Sequence, residues 1–207
     1  MPILTLLDYL GVALFAATGA LSASRRELDL VGFMFLGSVT GIGGGTIRDL
    51  ILDVPVFWIV QPMHIVICAS AAALIYLTAH LVEYRYRLLI WLDAIALAAY
   101  SVFGAYKGLM VTGSPIIAVV MGAMTGTLGG IMRDVLANEP SVLLRKEIYV
   151  TAALAGAVGF VIARTLGLPT GVPAMIGFSL ALGTRSCALA FGWTMPTYRS
   201  RPGRDVS

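Results

Sequence analysis

Gly41-Ile42-Gly43-Gly44-Gly45-Thr46-Ile47-Arg48-Asp49 sits inside a long apolar segment. A second version, Gly126-Thr127-Leu128-Gly129-Gly130-Ile131-Met132-Arg133-Asp134, follows 85 residues later, counted from Arg48 to Arg133. Each glycine in a helix interior costs about 1 kcal/mol against alanine. The glycine clusters therefore predict a break in each helix. An Arg-Asp pair inside a bilayer is costly and marks a functional site by default. The working part of the molecule is expected where the two segments meet.

The surrounding composition makes the bilayer reading firm. Of 207 residues, 58% are hydrophobic and 12% charged, and the mean hydropathy is +0.90. A soluble domain carries roughly 25% charged residues. At about 20 residues per span, the length allows seven helices and no sizeable soluble domain. The pI near 9.0 is a topology signal from loops and tail and does not point to nucleic acid. Cys68 and Cys187 both fall in apolar spans, with neither disulfide nor metal-ligand spacing. Ile3–Ala23 ends in small residues but lacks a basic leader region, so it is read as a span and not a signal peptide.

Seven spans follow in order: Ile3–Ala23, Leu30–Leu52, Met63–Val82, Leu88–Tyr106, Pro115–Ala137, Ile148–Ala163 and Pro173–Trp193. They form a single membrane domain over 1–195, with a polar tail over 196–207. Asp53, Pro55 and Trp58 mark a turn, and Lys107 to Gly113 a short loop. Eleven of the 14 Lys and Arg residues lie outside the spans, and nine of these share one side: Arg25, Arg26, Arg85, Arg87, Arg145, Lys146, Arg199, Arg201 and Arg204. The positive-inside rule puts that side in the cytoplasm, with the N-terminus outside and the C-terminus inside.

The 85-residue offset extends beyond the glycines. It relates Asp8 to Asp93, Gly19 to Gly104, Gly37 to Gly122, Thr40 to Thr125 and Pro55 to Pro140 in one ungapped register. Each copy (about 3–82 and 88–163) holds three spans, and three is odd. The copies therefore cross the membrane in opposite senses, with the seventh span added. Folds of this kind place ion or substrate sites near the midplane, between discontinuous helices.

Unwound glycine segments would free carbonyls that can replace a cation's hydration shell. Such carbonyls are tolerated at membrane depth only inside protein or beside water. The candidate ion pathway is Gly43, Gly44, Gly45, Thr46, Thr125, Gly126, Gly129 and Gly130. The plainer alternative is close helix packing through small residues. The intramembrane charges are Asp8, Arg48, Asp49, Asp93, Arg133, Asp134 and Arg185. Neighbours on a helix do not face each other, so Arg48 is expected on Asp8 and Arg133 on Asp93. Asp49 and Asp134 are left to attract cations at the two mouths. Arg185 needs a partner or a wet cavity. His64 and His80, at opposite ends of the third span, read as headgroup-level polar residues, Tyr149 as an interface anchor and Tyr100 as core. No nucleophile–base arrangement, metal cluster or phosphate loop stands out, so enzymatic chemistry is not expected.

The two motifs, one per three-helix repeat, together with a seventh helix, resemble the prokaryotic trimeric intracellular cation (TRIC) channels over about Leu7 to Trp193. That resemblance implies an all-α, multi-pass protein of the cell (inner) membrane, with glycine-broken second and fifth helices. It implies a homotrimer among membrane lipid with a potassium-permeable pore in each protomer. It implies no cofactor and no metal beyond permeating potassium. The family has also been described as glycine transporters. A small amino-acid secondary transporter, with Arg48 or Arg133 on the substrate carboxylate, is the alternative.

Overall fold

The computed structural model describes residues 2–81, 85–142 and 147–196. Eight α-helices follow one another: α1 (Pro2–Arg25), α2 (Leu30–Ile51), α3 (Phe57–Val60), α4 (Met63–Thr78), α5 (Arg85–Thr112), α6 (Pro115–Leu136), α7 (Val150–Thr165) and α8 (Gly171–Phe191). A 3₁₀ turn, Ala79–Leu81, extends α4. Among the described residues there is no strand, only an isolated bridge between Glu147 and Thr194. Six helices are long and apolar enough to cross a membrane, and α7 is a shorter apolar one. These are the seven expected spans. Large apolar side chains such as Leu74, Leu77, Ile116, Ile162 and Met175 point outward, as a lipid-facing surface requires.

Residues 143–146 and 197–207, with Arg145, Lys146, Arg199, Arg201 and Arg204, lie outside the described residues, as do Val82, Glu83 and Tyr84. Two boundaries differ from the expectation. The Pro55–Trp58 turn contains the short helix α3, and the expected Lys107–Gly113 loop is the last turn and a half of α5. Gly113, at φ +66°, supplies the left-handed stop.

The repeat carries through the backbone. Asp29 caps α2 by accepting from the Gly32 N–H, and Ser114 caps α6 by accepting from the Ile117 N–H. Asp53 and Asn138 both adopt positive φ, 52° and 50°. The next residues, Val54 and Glu139, return N–H bonds to the carbonyls of Asp49 and Asp134. All these pairs stand 85 positions apart. The core is built on small residues. Alanine and glycine let α1, α2 and α4 close together in the first half, and α5, α6 and α7 in the second.

α2 and α6 are uninterrupted α-helices through both glycine clusters, so the expected breaks are corrected. The reason is packing. A Cβ on Gly44 would lie 2.8 Å from the Thr125 carbonyl oxygen, and one on Gly129 would lie 2.7 Å from the Thr40 carbonyl oxygen. Thr40 and Thr125 are themselves 85 apart, so the two contacts are reciprocal about a pseudo-two-fold axis. Close approach of the helices offsets the propensity cost of the glycines.

Candidate functional site

Two polar clusters flank the α2–α6 crossing, one from each repeat. In the second cluster, Arg133 donates from Nη1 to Asp93 Oδ1 at 2.6 Å, and from Nη2 and Nε to Asp134 Oδ1 at 2.8 and 3.0 Å. The expected Asp93–Arg133 pair is therefore present, and Asp134 joins it. The other Asp134 oxygen accepts from the Val142 N–H at 2.9 Å. All three side chains are buried. Arg185, from α8, donates to Glu147 at 2.6 Å and to the Ile148 carbonyl at 3.1 Å, and its guanidinium lies over the Tyr149 ring.

The first cluster keeps the frame and changes the partners. Asp49 Oδ1 accepts from Arg48 Nε at 2.8 Å, and Asp49 Oδ2 accepts from the Phe57 N–H at 2.9 Å. This matches Asp134 and Val142 residue for residue. Asp8, however, is not on Arg48. Its Oδ2 lies 3.0 Å from His64 Nε2, and Lys107 Nζ sits 2.8 Å from Asp49 Oδ1. Arg48 Nη1 and Nη2 and Asp8 Oδ1 are buried without a partner among the described residues. The Arg48 guanidinium rests against the rings of Phe103 and Phe57, 5.3 and 5.6 Å from their centroids.

Four expectations change here. The Asp8–Arg48 pair does not form, because His64 stands closer to Asp8. The adjacent Arg-Asp neighbours do bond in both motifs, because a long guanidinium arm can curl back along its own helix and reach the next residue. Asp49 and Asp134 face no mouth; at 0% and 2% exposure they fasten the arginine to the following turn. His64 is not a headgroup-level residue but a buried one, 1% exposed. Lys107 escaped notice because its helix was read as ending one residue earlier.

The glycines of the expected pathway are covered. The Met132 sulfur lies 2.7 Å from where a Gly43 Cβ would stand, and the Phe57 ring 2.6 Å from that of Gly45. Gly126 lies against the Leu97 carbonyl, and Gly130 beneath the Tyr149 hydroxyl. The threonine hydroxyls bond their own helices: Thr46 to the Ile42 carbonyl, Thr125 to that of Met121, Thr40 to that of Leu36 and Thr127 to that of Ala123. Such bonds keep a hydroxyl satisfied inside a span and tend to bend the helix. Thr46 also accepts from Trp58 Nε1 at 2.9 Å, tying α3 to α2.

Cavities lie beside both clusters. Beside the first is one of about 350 Å³, lined by Asp8, Phe57, His64, Phe103 and Lys107 among others. Beside the second, the pocket between Asp93, Arg133, Arg185 and Glu147 has room for only about 10 Å³, and an adjoining cavity of about 340 Å³ is lined by Arg25, Arg26, Tyr86, Glu139 and Pro140. Among the described residues no three His, Cys, Asp or Glu side chains group as a metal site.

Comparison with known proteins fits this frame. A family model described as "Glycine transporter" matches residues 5–80 and 90–165, two copies in the 85-residue register. The chain is 40% identical over 198 residues to the UPF0126 inner membrane protein YadS of Escherichia coli, covering 93% of this chain and 94% of that one. A crystal structure of the trimeric intracellular cation channel orthologue from Rhodobacter sphaeroides superposes with a TM-score of 0.91 at 45% identity, over 93% of this chain and all of that one. A second structure, described as bearing on conductance through TRIC cation channels, matches with a TM-score of 0.85 at 30% identity, over 96% and 98% of the two chains.

Proposed function

The chain belongs to the prokaryotic trimeric intracellular cation channel family, and on that footing we propose that it is a potassium-permeable cation channel of the inner membrane. The observation that carries the reading is the pair of repeat-related charged clusters at the α2–α6 crossing, in a chain 45% identical to a channel of that name. Apolar spans hold buried charge only against a large cost, which a water-filled path or a tight pairing relieves.

The proposed path runs within one protomer from the Asp8–Lys107 cavity, along the α2–α6 seam, to Asp93 and Arg133. It passes Gly43, Gly44, Gly45 and Thr46 on one helix and Thr125, Gly126, Gly129 and Gly130 on the other. Met132 over Gly43, Phe57 over Gly45 and the backbone contact of Gly44 with Thr125 shut it in the present conformation, so conduction requires α2 and α6 to part as well as these side chains to move. Five carboxylates (Asp8, Asp49, Asp93, Asp134, Glu147) lie along it, paired with Arg48, Lys107, Arg133, Arg185 and His64. The threonine and backbone oxygens supply neutral ligands. Three such protomers form the working homotrimer, set among membrane lipid. Residues 1–195 form its single membrane domain. The basic Arg25–Arg26 face lies in the cytoplasm, and the His64–Lys107 face outside.

The inverted repeat keeps the transporter as the second reading, since two such halves are a frame for alternating access. Planar-bilayer recording in asymmetric KCl, followed by replacement of K⁺ with Na⁺, separates the two. Unitary currents reversing near the K⁺ potential establish the channel. Silent bilayers together with saturable glycine uptake into proteoliposomes refute it.

A further inference from the structure

We propose that His64 and Asp8 form a proton-binding pair at the mouth of the open cavity, and that the bound proton decides whether Asp8 is held by His64 or turns to Arg48. The first ground is hydrogen-bond bookkeeping. His64 Nδ1 lies 2.8 Å from the Gln61 carbonyl oxygen, and Nε2 lies 3.0 Å from Asp8 Oδ2. A carbonyl can only accept, an ionised carboxylate can only accept, and a neutral imidazole has a single N–H. Both contacts are satisfied together by an imidazolium on a carboxylate. The pair thus holds one proton more than a neutral ring beside an ionised acid.

The second ground is the repeat. The position related to His64 is Tyr149, which cannot carry that proton, and there Asp93 sits on Arg133 Nη1 at 2.6 Å. In the first half the same bridge is undone, and both of its would-be partners are left over: Asp8 Oδ1, and Arg48 Nη1 and Nη2. The second half thus shows the arrangement that Asp8 and Arg48 adopt once His64 gives up its claim.

The groups around His64 set the balance. From α1 come Asp8 and the Tyr9 ring, 5.0 Å away between centroids. From α3 and the turn after it come only the Phe57 ring, at 4.7 Å, and Gln61. From α5 comes Lys107, which opposes the imidazolium but is engaged with Asp49, and from α2 come Arg48 and Asp49 themselves. Loss of the proton leaves one N–H for two acceptors. Gln61 keeps it, Asp8 is released, and Arg48, with both terminal nitrogens unpartnered, is the cation left to take it on the same frame. Acid on this face therefore keeps Asp8 on His64, and alkali releases it toward Arg48, which changes the charge facing the cavity.

The pair stands on geometry alone, whereas its effect on flux rests on the channel reading, so the two are tested separately. The chain has two histidines, and full-length protein labelled with ¹⁵N-histidine in lipid vesicles gives one signal set for each, assigned with His80→Gln. Two protonated ring nitrogens at His64 at about pH 5.5 and one at about pH 8 are expected, this being the range in which histidine titrates. In Asp8→Asn the proton should bind about tenfold more weakly, because the carboxylate that favours it is gone. A single neutral tautomer throughout, or a midpoint unmoved in Asp8→Asn, overturns the pair. Cation flux should fall several-fold over the same range when pH is raised on the His64 face, and should lose that dependence in His64→Gln. A titrating His64 with pH-independent flux overturns the latch. A titrating His64 in protein that passes no ions upholds the pair and refutes the channel reading instead.

Discussion

Replacing Gly44 by alanine tests the packing account of the glycine motif against the unwound-helix account. The new Cβ would stand 2.8 Å from the Thr125 carbonyl oxygen and 3.3 Å from the Gly129 nitrogen. Both obstacles are backbone, so no side-chain rotation relieves them. Bringing the contact to an ordinary separation requires α2 and α6 to part by roughly half an ångström, and overpacking of this kind costs about 1–3 kcal/mol. In a chain of this size that corresponds to a fall of roughly 3–9 °C in melting temperature. Gly129→Ala meets the reciprocal obstacle, the Thr40 carbonyl at 2.7 Å, and should behave alike. The double variant should lose less than the two losses added, since helices already parted accommodate the second methyl, and contacting sites couple by about 0.5–3 kcal/mol. Gly183, in α8, has nothing within 4 Å of its would-be Cβ. There alanine should raise stability by up to about 1 kcal/mol through helix propensity. Thermal unfolding of the purified protein, followed by size exclusion, reads all four. A Gly44→Ala protein that melts with the wild type would refute the contact as the reason for the glycines, whatever its currents show.

The two clusters should respond unequally to the same chemical change. Asp93→Asn strips Arg133 of its 2.6 Å partner inside a buried network and should cost about 3–5 kcal/mol. Asp8→Asn loses only the His64 contact and should cost about 1–2 kcal/mol; equal losses would mean that the clusters are energetically alike. Thr46→Val removes the acceptor of the Trp58 indole, at about 1 kcal/mol, and should speed amide exchange over Phe57–Val60 without disturbing α6. At Asp53, whose φ is +52°, glycine should be tolerated, whereas valine should cost about 1–2 kcal/mol because a β-branched side chain resists the left-handed region. Denaturation midpoints compare the two.

The spans were legible because the bilayer demands about 20 apolar residues in a row, and the repeat was legible because Asp, Arg-Asp and Pro matched in one register. That register even located groups whose roles were not foreseen: 85 residues carry Phe57 to Val142, and both donate a backbone N–H to the motif aspartate. What sequence could not settle was whether a glycine serves by loosening a helix or by admitting a neighbour. Gly43–Gly45 have the same letters in either case. The choice rests on the opposing surface, here the Thr125 carbonyl, Met132 and Phe57, and these come from distant parts of the chain or from an unrecognised short helix. Lys107 was missed for a related reason. The glycines and polar residues after Tyr106 looked like a loop, while α5 runs on to Thr112 and delivers the lysine to Asp49.

A symmetric scaffold with unlike partners explains why Asp93 sits on its repeat's arginine and Asp8 does not. Each half sets the same arginine on the same aspartate and pins that aspartate to the same backbone N–H. With the frame fixed, the outcome turns on what is offered to the first-helix aspartate of each repeat. In the second half the Tyr149 hydroxyl also faces Asp93 but, being neutral, leaves Asp93 on Arg133, and Arg185 from the added helix α8 ties down Glu147 beside it. In the first half His64 claims Asp8, and Lys107 supplies Asp49 with a second cation. Arg48 is left with only its Nε bonded. If these substitutions set the asymmetry, placing tyrosine at the histidine position should transfer the closed arrangement. In His64→Tyr, Asp8 should move onto Arg48, as Asp93 sits on Arg133. A structure of that variant with Asp8 still away from Arg48 would show that α8 and Lys107, rather than the residue facing Asp8, keep the two ends different.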